Sequence, residues 1–165
     1  MGVRETLLPE FDQEMAATRL VLARVPEASF AWKPHERSHA LGGLAAHLAQ
    51  IPNWGCGILT RDGHDLETAD APVTPVLTVA AVLERFDQHV SDVRRALVEM
   101  ADGQLQTPWA LRRGGHLILS MPRIAAIRRF VLHHTIHHRG QLTMYLRLQG
   151  VPLPPLYGPS ADESV

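Results

Sequence analysis

The stretch Phe130-Val131-Leu132-His133-His134-Thr135-Ile136-His137-His138-Arg139-Gly140-Gln141-Leu142-Thr143-Met144-Tyr145-Leu146-Arg147-Leu148-Gln149-Gly150 decides the fold. It predicts a long helix that starts near Pro122, a residue suited to the first helical position, and runs to about Gln149. Gly150 supplies the stop and Pro152 reinforces it. Four of the ten histidines of the chain fall between His133 and His138. They form two overlapping His-x3-His pairs, His133/His137 and His134/His138. Side chains four apart on a helix project side by side, so either pair can offer two imidazoles to one cation.

Helical phase separates the pairs. The stripe through His134 and His138 carries Ile127, Val131, Gln141, Leu142 and Tyr145, and faces inward. The stripe through His133 and His137 carries Arg129, Gly140, Met144 and Arg147, and lies nearer the surface. His134 and His138 are therefore the candidates for an interior site.

Working outward, Leu7, Leu8, Phe11, Met15, Thr18, Leu22 and Val25 recur at helical steps and predict a first helix over 7–25, stopped by Pro26. Residues 26–40 read as an irregular connector anchored by Phe30 and Trp32. A second helix follows, with Ser38 as the expected cap, running through Leu44, His47, Ile51 and Trp54 on one face. Residues 60–77 read as a long polar loop. The apolar stripe of Val79, Val82, Leu83, Phe86, Val90, Val93, Leu97 and Met100 predicts a third helix from Thr78 to Ala101, closed by Asp102-Gly103. Trp109–Arg113 and His116–Ser120 flank Gly114-Gly115 and predict a small hairpin. The sum is an all-α four-helix bundle, with the hairpin as an insertion before the last helix, in a single domain over 1–165.

A third ligand is needed to define a metal geometry, and His47 fits, because it sits on the apolar face of the second helix. Three neutral imidazoles, His47, His134 and His138, leave at least one coordination position open to water or substrate. Nitrogen-only ligation suits zinc, nickel, iron or copper, and the ligand set does not choose among them; the cofactor expected is one divalent transition ion, zinc or nickel first and iron or manganese next. No general base stands beside these residues in sequence, and Glu36 and Asp62 are loop candidates only. The catalytic residues stay unassigned. Arg139 reads as an anchor for an acidic partner, Gly140 as a point of close helix approach, and Gln141 as a group that orients a ligand.

Composition limits the partners. Sixteen basic and seventeen acidic residues give a net charge of −1, which offers nothing to nucleic acid or an anionic membrane. No apolar run is long enough for a membrane span, and no secretory signal is legible. The single cysteine, Cys56, fits a reducing cytoplasm.

His134-Thr-Ile-His137-His138-Arg139-Gly140-Gln141, followed by Tyr145-Leu146-Arg147 and Gly150, resembles the C-terminal helix motif of the DinB family of DinB/YfiT-like metalloenzymes. Leu41-Gly42-Gly43-Leu44-Ala45-Ala46-His47-Leu48 resembles that family's second-helix motif. Trp32-Lys33-Pro34 and the tail Pro154–Glu163 fit as well. The resemblance implies an up-down-down-up bundle, a divalent metal on His47, His134 and His138, and a homodimer. It also implies a small-molecule substrate and a thiol-dependent transferase-type reaction that uses a low-molecular-weight thiol. A metal-dependent hydrolase and a non-catalytic metal-binding stress-response protein are the alternative expectations.

Overall fold

Helix α1 (Val3–Leu22) buries Leu7, Phe11, Met15, Thr18 and Leu22 along one face, as their spacing predicts. It begins four residues before the expected Leu7. Carboxylates satisfy its first donors: Gly2 N–H donates to Glu5 over 2.8 Å and Arg4 N–H to Asp102 over 3.0 Å. The second of these comes from a distant part of the chain, so local periodicity carries no sign of it. In this computed structural model the described residues are 2–68, 76 and 78–164. The ends of the expected domain, and residues 69–75 and 77 of the expected loop, lie outside them.

Helix α2 (Leu41–Thr60) starts at an Ala40 cap that makes no side-chain bond, and Ser38 is not the cap. The connector does this work with its own backbone. Leu41 N–H donates to the Trp32 carbonyl over 2.9 Å, and Gly42 N–H to the Phe30 carbonyl over 3.0 Å. The Phe30 ring lies so close to Gly42 that a Cβ there would meet it at 2.7 Å. Further along, a Cβ on Gly55 would meet Val93 at 2.9 Å, which marks a close approach of α2 to the next helix. That helix, α3 (Val79–Glu99), is capped by Thr78, whose hydroxyl accepts from Ala81 N–H over 3.2 Å. A short α4 (Asp102–Leu105) follows.

The last helical run is α5 (Arg123–Ile127), a π-helical turn (Arg128–Leu132) and α6 (His133–Leu148). Pro122 sits at its N-cap. Gly150, at φ 71°, ends it with paired bonds from Gly150 N–H to the Arg147 carbonyl and from Val151 N–H to the Leu146 carbonyl, the glycine-closed helix end. The π turn adds a residue to one turn and has no signature in a hydrophobic pattern.

Helix α1 packs on α3 and α6, and α2 packs on the same two. Leu7, Phe11, Leu44, Leu48, Phe86, Leu97, Val131 and Leu142 meet between them in one apolar cluster. Each fully buried side chain of this size contributes about 1.5–3 kcal/mol.

The fold class predicted from the sequence, an all-α four-helix bundle in up-down-down-up order, does not hold. The helices share the molecule with a three-stranded mixed sheet in the order β1 (Gly63–Asp65), β2 (Pro108–Arg113), β3 (His116–Pro122). The antiparallel hairpin β2–β3 is at the expected residues, with Gly114 and Gly115 at φ 56° and 79° in its turn. The parallel strand β1 is the addition, and it lies inside the stretch that reads as loop. Its three residues are too few and too polar to show an alternating pattern. Tertiary bonds make the strand instead. Gly114 and Gly115 N–H donate to the two Asp65 carboxylate oxygens over 2.9 and 2.7 Å, so the turn of the hairpin itself clamps β1. Buried Arg123 donates to the Ile58 and Arg61 carbonyls and pairs with Asp62 over 2.7 Å. In β3 the register shifts by one residue and leaves Ile118 as a bulge opposite the Leu111–Arg112 step. Among the described residues no helix is long and apolar enough to cross a membrane.

Candidate metal centre

Two facing helices bring three histidines together. His47 lies on α2 beside the buried Leu44 and Leu48 and one turn before buried Ile51. His134 and His138 are successive turns of the same face of α6, which packs against α2. Their ligand-capable nitrogens all lie within 4.8 Å of one another. His138 Nε2 is 2.9 Å from His134 Nε2, and His134 Nε2 is 3.3 Å from His47 Nε2.

The electrostatics favour neutral rings. Burial, followed by the fields of His138, His134 and His39, pushes the His47 pKa down to about 4. Burial is also the main reason that His134 and His138 titrate below the ordinary imidazole range, with contributions from His137. Opposing bonds moderate both, from the Phe130 backbone at His134 and from Gln141 at His138. Neutral imidazole is the form that binds a metal.

His133 and His137 are exposed, as their phase on the helix predicts. His39 was not singled out by spacing, because it belongs to the irregular connector. Its ring stacks on that of His47 with centroids 6.1 Å apart and planes 6° apart. His89 makes a 2.8 Å bond through Nδ1 with the Ala49 carbonyl and braces α3 on α2.

The residues after the histidines divide. Arg139 is 2% exposed and donates to the Glu14 carboxylate over 2.6 Å, to the Glu14 carbonyl over 3.0 Å and to Thr18 Oγ1 over 3.2 Å. Tyr157 of the tail also bonds both partners. This is the acidic anchor expected for Arg139. Gly140 does not mark a close approach, since a Cβ there would meet nothing within 4 Å. Gln141 contacts a histidine directly, with Oε1 2.7 Å from His138 Nδ1. Tyr145 packs edge-on against Trp32 at 5.7 Å. Trp54 is part of the packing, with its ring against those of His64 and Phe130.

Of the loop carboxylates, Glu36 is exposed and Asp62 is paired with Arg123 at the sheet. Among the described residues, no carboxylate joins the three histidines as a ligand-distance neighbour. Burial, with a further push from Asp92, raises the Cys56 thiol above its ordinary range, which suppresses the thiolate.

Comparison with known proteins places this geometry in context. The family model described as "DinB family" matches residues 1–164. The chain is 27% identical over 158 residues to "Uncharacterized protein YrdA" of Bacillus subtilis (strain 168), covering 94% of this chain and 89% of that protein. The crystal structure of a DinB-like protein from Bacillus cereus ATCC 10987 superimposes with a TM-score of 0.70 at 24% identity, covering 93% of this chain and 97% of the other. A DinB-like protein from Bacillus subtilis gives 0.72 at 16% identity, covering 92% and 96%. These two structural likenesses speak to the fold alone.

Proposed function

The chain belongs to the DinB family, and from that premise we propose that it is a metal-dependent enzyme in which His47, His134 and His138 hold one divalent transition ion. The observation that carries this reading is the convergence of three imidazole nitrogens, 2.9 and 3.3 Å apart through His134, from rings that resist protonation. Three neutral nitrogen donors on two packed helices suit zinc or nickel, and then iron or manganese, and leave coordination positions for a ligand from outside.

Within that reading we favour a thiol-dependent transferase-type reaction on a small molecule, with a low-molecular-weight thiol as the second substrate. A bound divalent ion supplies Lewis acidity, which lowers the pKa of a thiol brought to it. This chain's own residues fit the assignment. Cys56, with its raised pKa, does not compete as the nucleophile. The proposal includes a homodimer, as the family resemblance implies, and a cytoplasmic location, which the single cysteine fits.

The test is metal analysis of protein purified without a histidine tag or nickel resin, followed by a screen of electrophiles against several small thiols. About one metal per chain and turnover that needs both metal and thiol support the reading. Ester or amide hydrolysis without any thiol would replace it with a hydrolase, and metal without turnover would leave a non-catalytic metal-binding protein.

A further inference from the structure

The far nitrogen of the His138 ring has a partner of its own. The Nε2 atoms of His134 and His138 face each other at 2.9 Å. On the opposite edge of the His138 ring, Nδ1 lies 2.7 Å from Gln141 Oε1. A carboxamide oxygen only accepts, so this bond requires the ring hydrogen on Nδ1. A neutral imidazole has one N–H. When Nδ1 carries it, Nε2 presents a lone pair.

We infer that Gln141 is a positioning residue for the metal centre: its carboxamide oxygen fixes His138 in the Nδ1–H tautomer and aims the Nε2 lone pair at His47 and His134. The inference rests on the metal-centre reading above and adds a residue that touches a ligand, without touching the ion. Ligating histidines generally depend on such outer partners for tautomer and ring orientation. Sequence spacing explains how Gln141 reaches: it lies three residues after His138, on the adjoining turn of the same helix. A neutral acceptor does this without adding charge to the site. Were the amide turned, its NH2 would donate to Nδ1, the hydrogen would move to Nε2, and the ring would point an N–H into the cluster.

The decisive experiment compares wild type, Gln141→Leu and Gln141→Glu as 15N-labelled, metal-free proteins at about pH 8, where the rings are neutral. Long-range proton–nitrogen correlation reads the tautomer of each imidazole. Wild-type His138 is expected to show a protonated Nδ1 and a bare Nε2, Gln141→Leu a mixture of tautomers, and Gln141→Glu the wild-type pattern. Zinc titrated into the same samples should bind roughly 10–100-fold more weakly to Gln141→Leu, with Gln141→Glu restoring the affinity. Matching melting curves for the metal-free proteins would show that the fold is unchanged. Wild-type His138 protonated at Nε2, or a Gln141→Leu variant with unaltered tautomer and zinc affinity, overturns the inference. If wild type binds no zinc, the metal-centre reading fails, and the tautomer comparison still decides whether Gln141 orients His138.

Discussion

The Arg139 guanidinium on α6 and the Glu14 carboxylate on α1 meet at 2.6 Å inside the protein, one residue along from His138. The pair ties the helix that bears two of the three histidines to the first helix of the chain. Thr18, the Glu14 carbonyl and Tyr157 add further bonds to the pair. Arg139→Met leaves a carboxylate buried without its cation and should cost about 3–5 kcal/mol. Arg139→Met combined with Glu14→Leu should cost much less than Arg139→Met alone. Urea unfolding of the metal-free proteins measures both, and a single variant no less stable than the double would remove the ion pair from this role.

Metal content should follow helical phase. His134→Ala, His138→Ala and His47→Ala are each expected to lose the near-stoichiometric metal of wild type. His133→Ala and His137→Ala, at exposed positions, should keep it. Elemental analysis after tag-free purification distinguishes these, and retention by His134→Ala with loss in His133→Ala would shift the register of the site.

Acid should weaken the metal-free protein over a defined window. His47 titrates at about 4 in the fold, against an ordinary value of 6.5. Between those values the unfolded chain binds the proton more readily than the native one, so stability falls as pH drops from 6.5 towards 4 and this contribution levels off below. The lowered pKa values of His134 and His138 act in the same direction. Thermal melts across this range should show the decline, and His47→Gln should flatten it.

Two helical glycines should respond oppositely to alanine. At Gly140 a Cβ meets nothing within 4 Å and the position is exposed, so Gly140→Ala should stabilise by about 1 kcal/mol through helix propensity. At Gly42 a Cβ would sit 2.7 Å from the Phe30 ring. Crowding there costs about 1–3 kcal/mol, which outweighs the same propensity gain, so Gly42→Ala should destabilise. Chemical denaturation of the two variants settles the signs.

The sequence carried information wherever one segment's own pattern determined the outcome. Pro122 and Gly150 frame the last helix because a proline start and a left-handed glycine stop are local chemistry. Gly114-Gly115 marks the hairpin for the same reason, and the phase of α6 separates His134 and His138 from exposed His133 and His137. The remainder depends on contacts between distant residues. Strand β1 exists because Asp65 receives the turn of a hairpin 49 residues on. Helix α2 is capped by carbonyls of Phe30 and Trp32, so a serine at a favourable offset gave the wrong cap. Gly140 reads as a close approach and is not one, because spacing cannot tell whether a neighbouring helix is near.

The bulge at Ile118 has a consequence for how the protein behaves at high concentration. Among the described residues β3 is one of the two edge strands of the sheet, and Leu117 and Ile118 on it are 61% and 49% exposed. A straight, apolar border of this kind invites another chain to add a strand, which is how cross-β aggregates begin. The extra residue breaks the even spacing of amides and carbonyls at the greasiest point of the border. An incoming strand can match one half of it or the other, but not both, so the irregularity works against strand addition along this border.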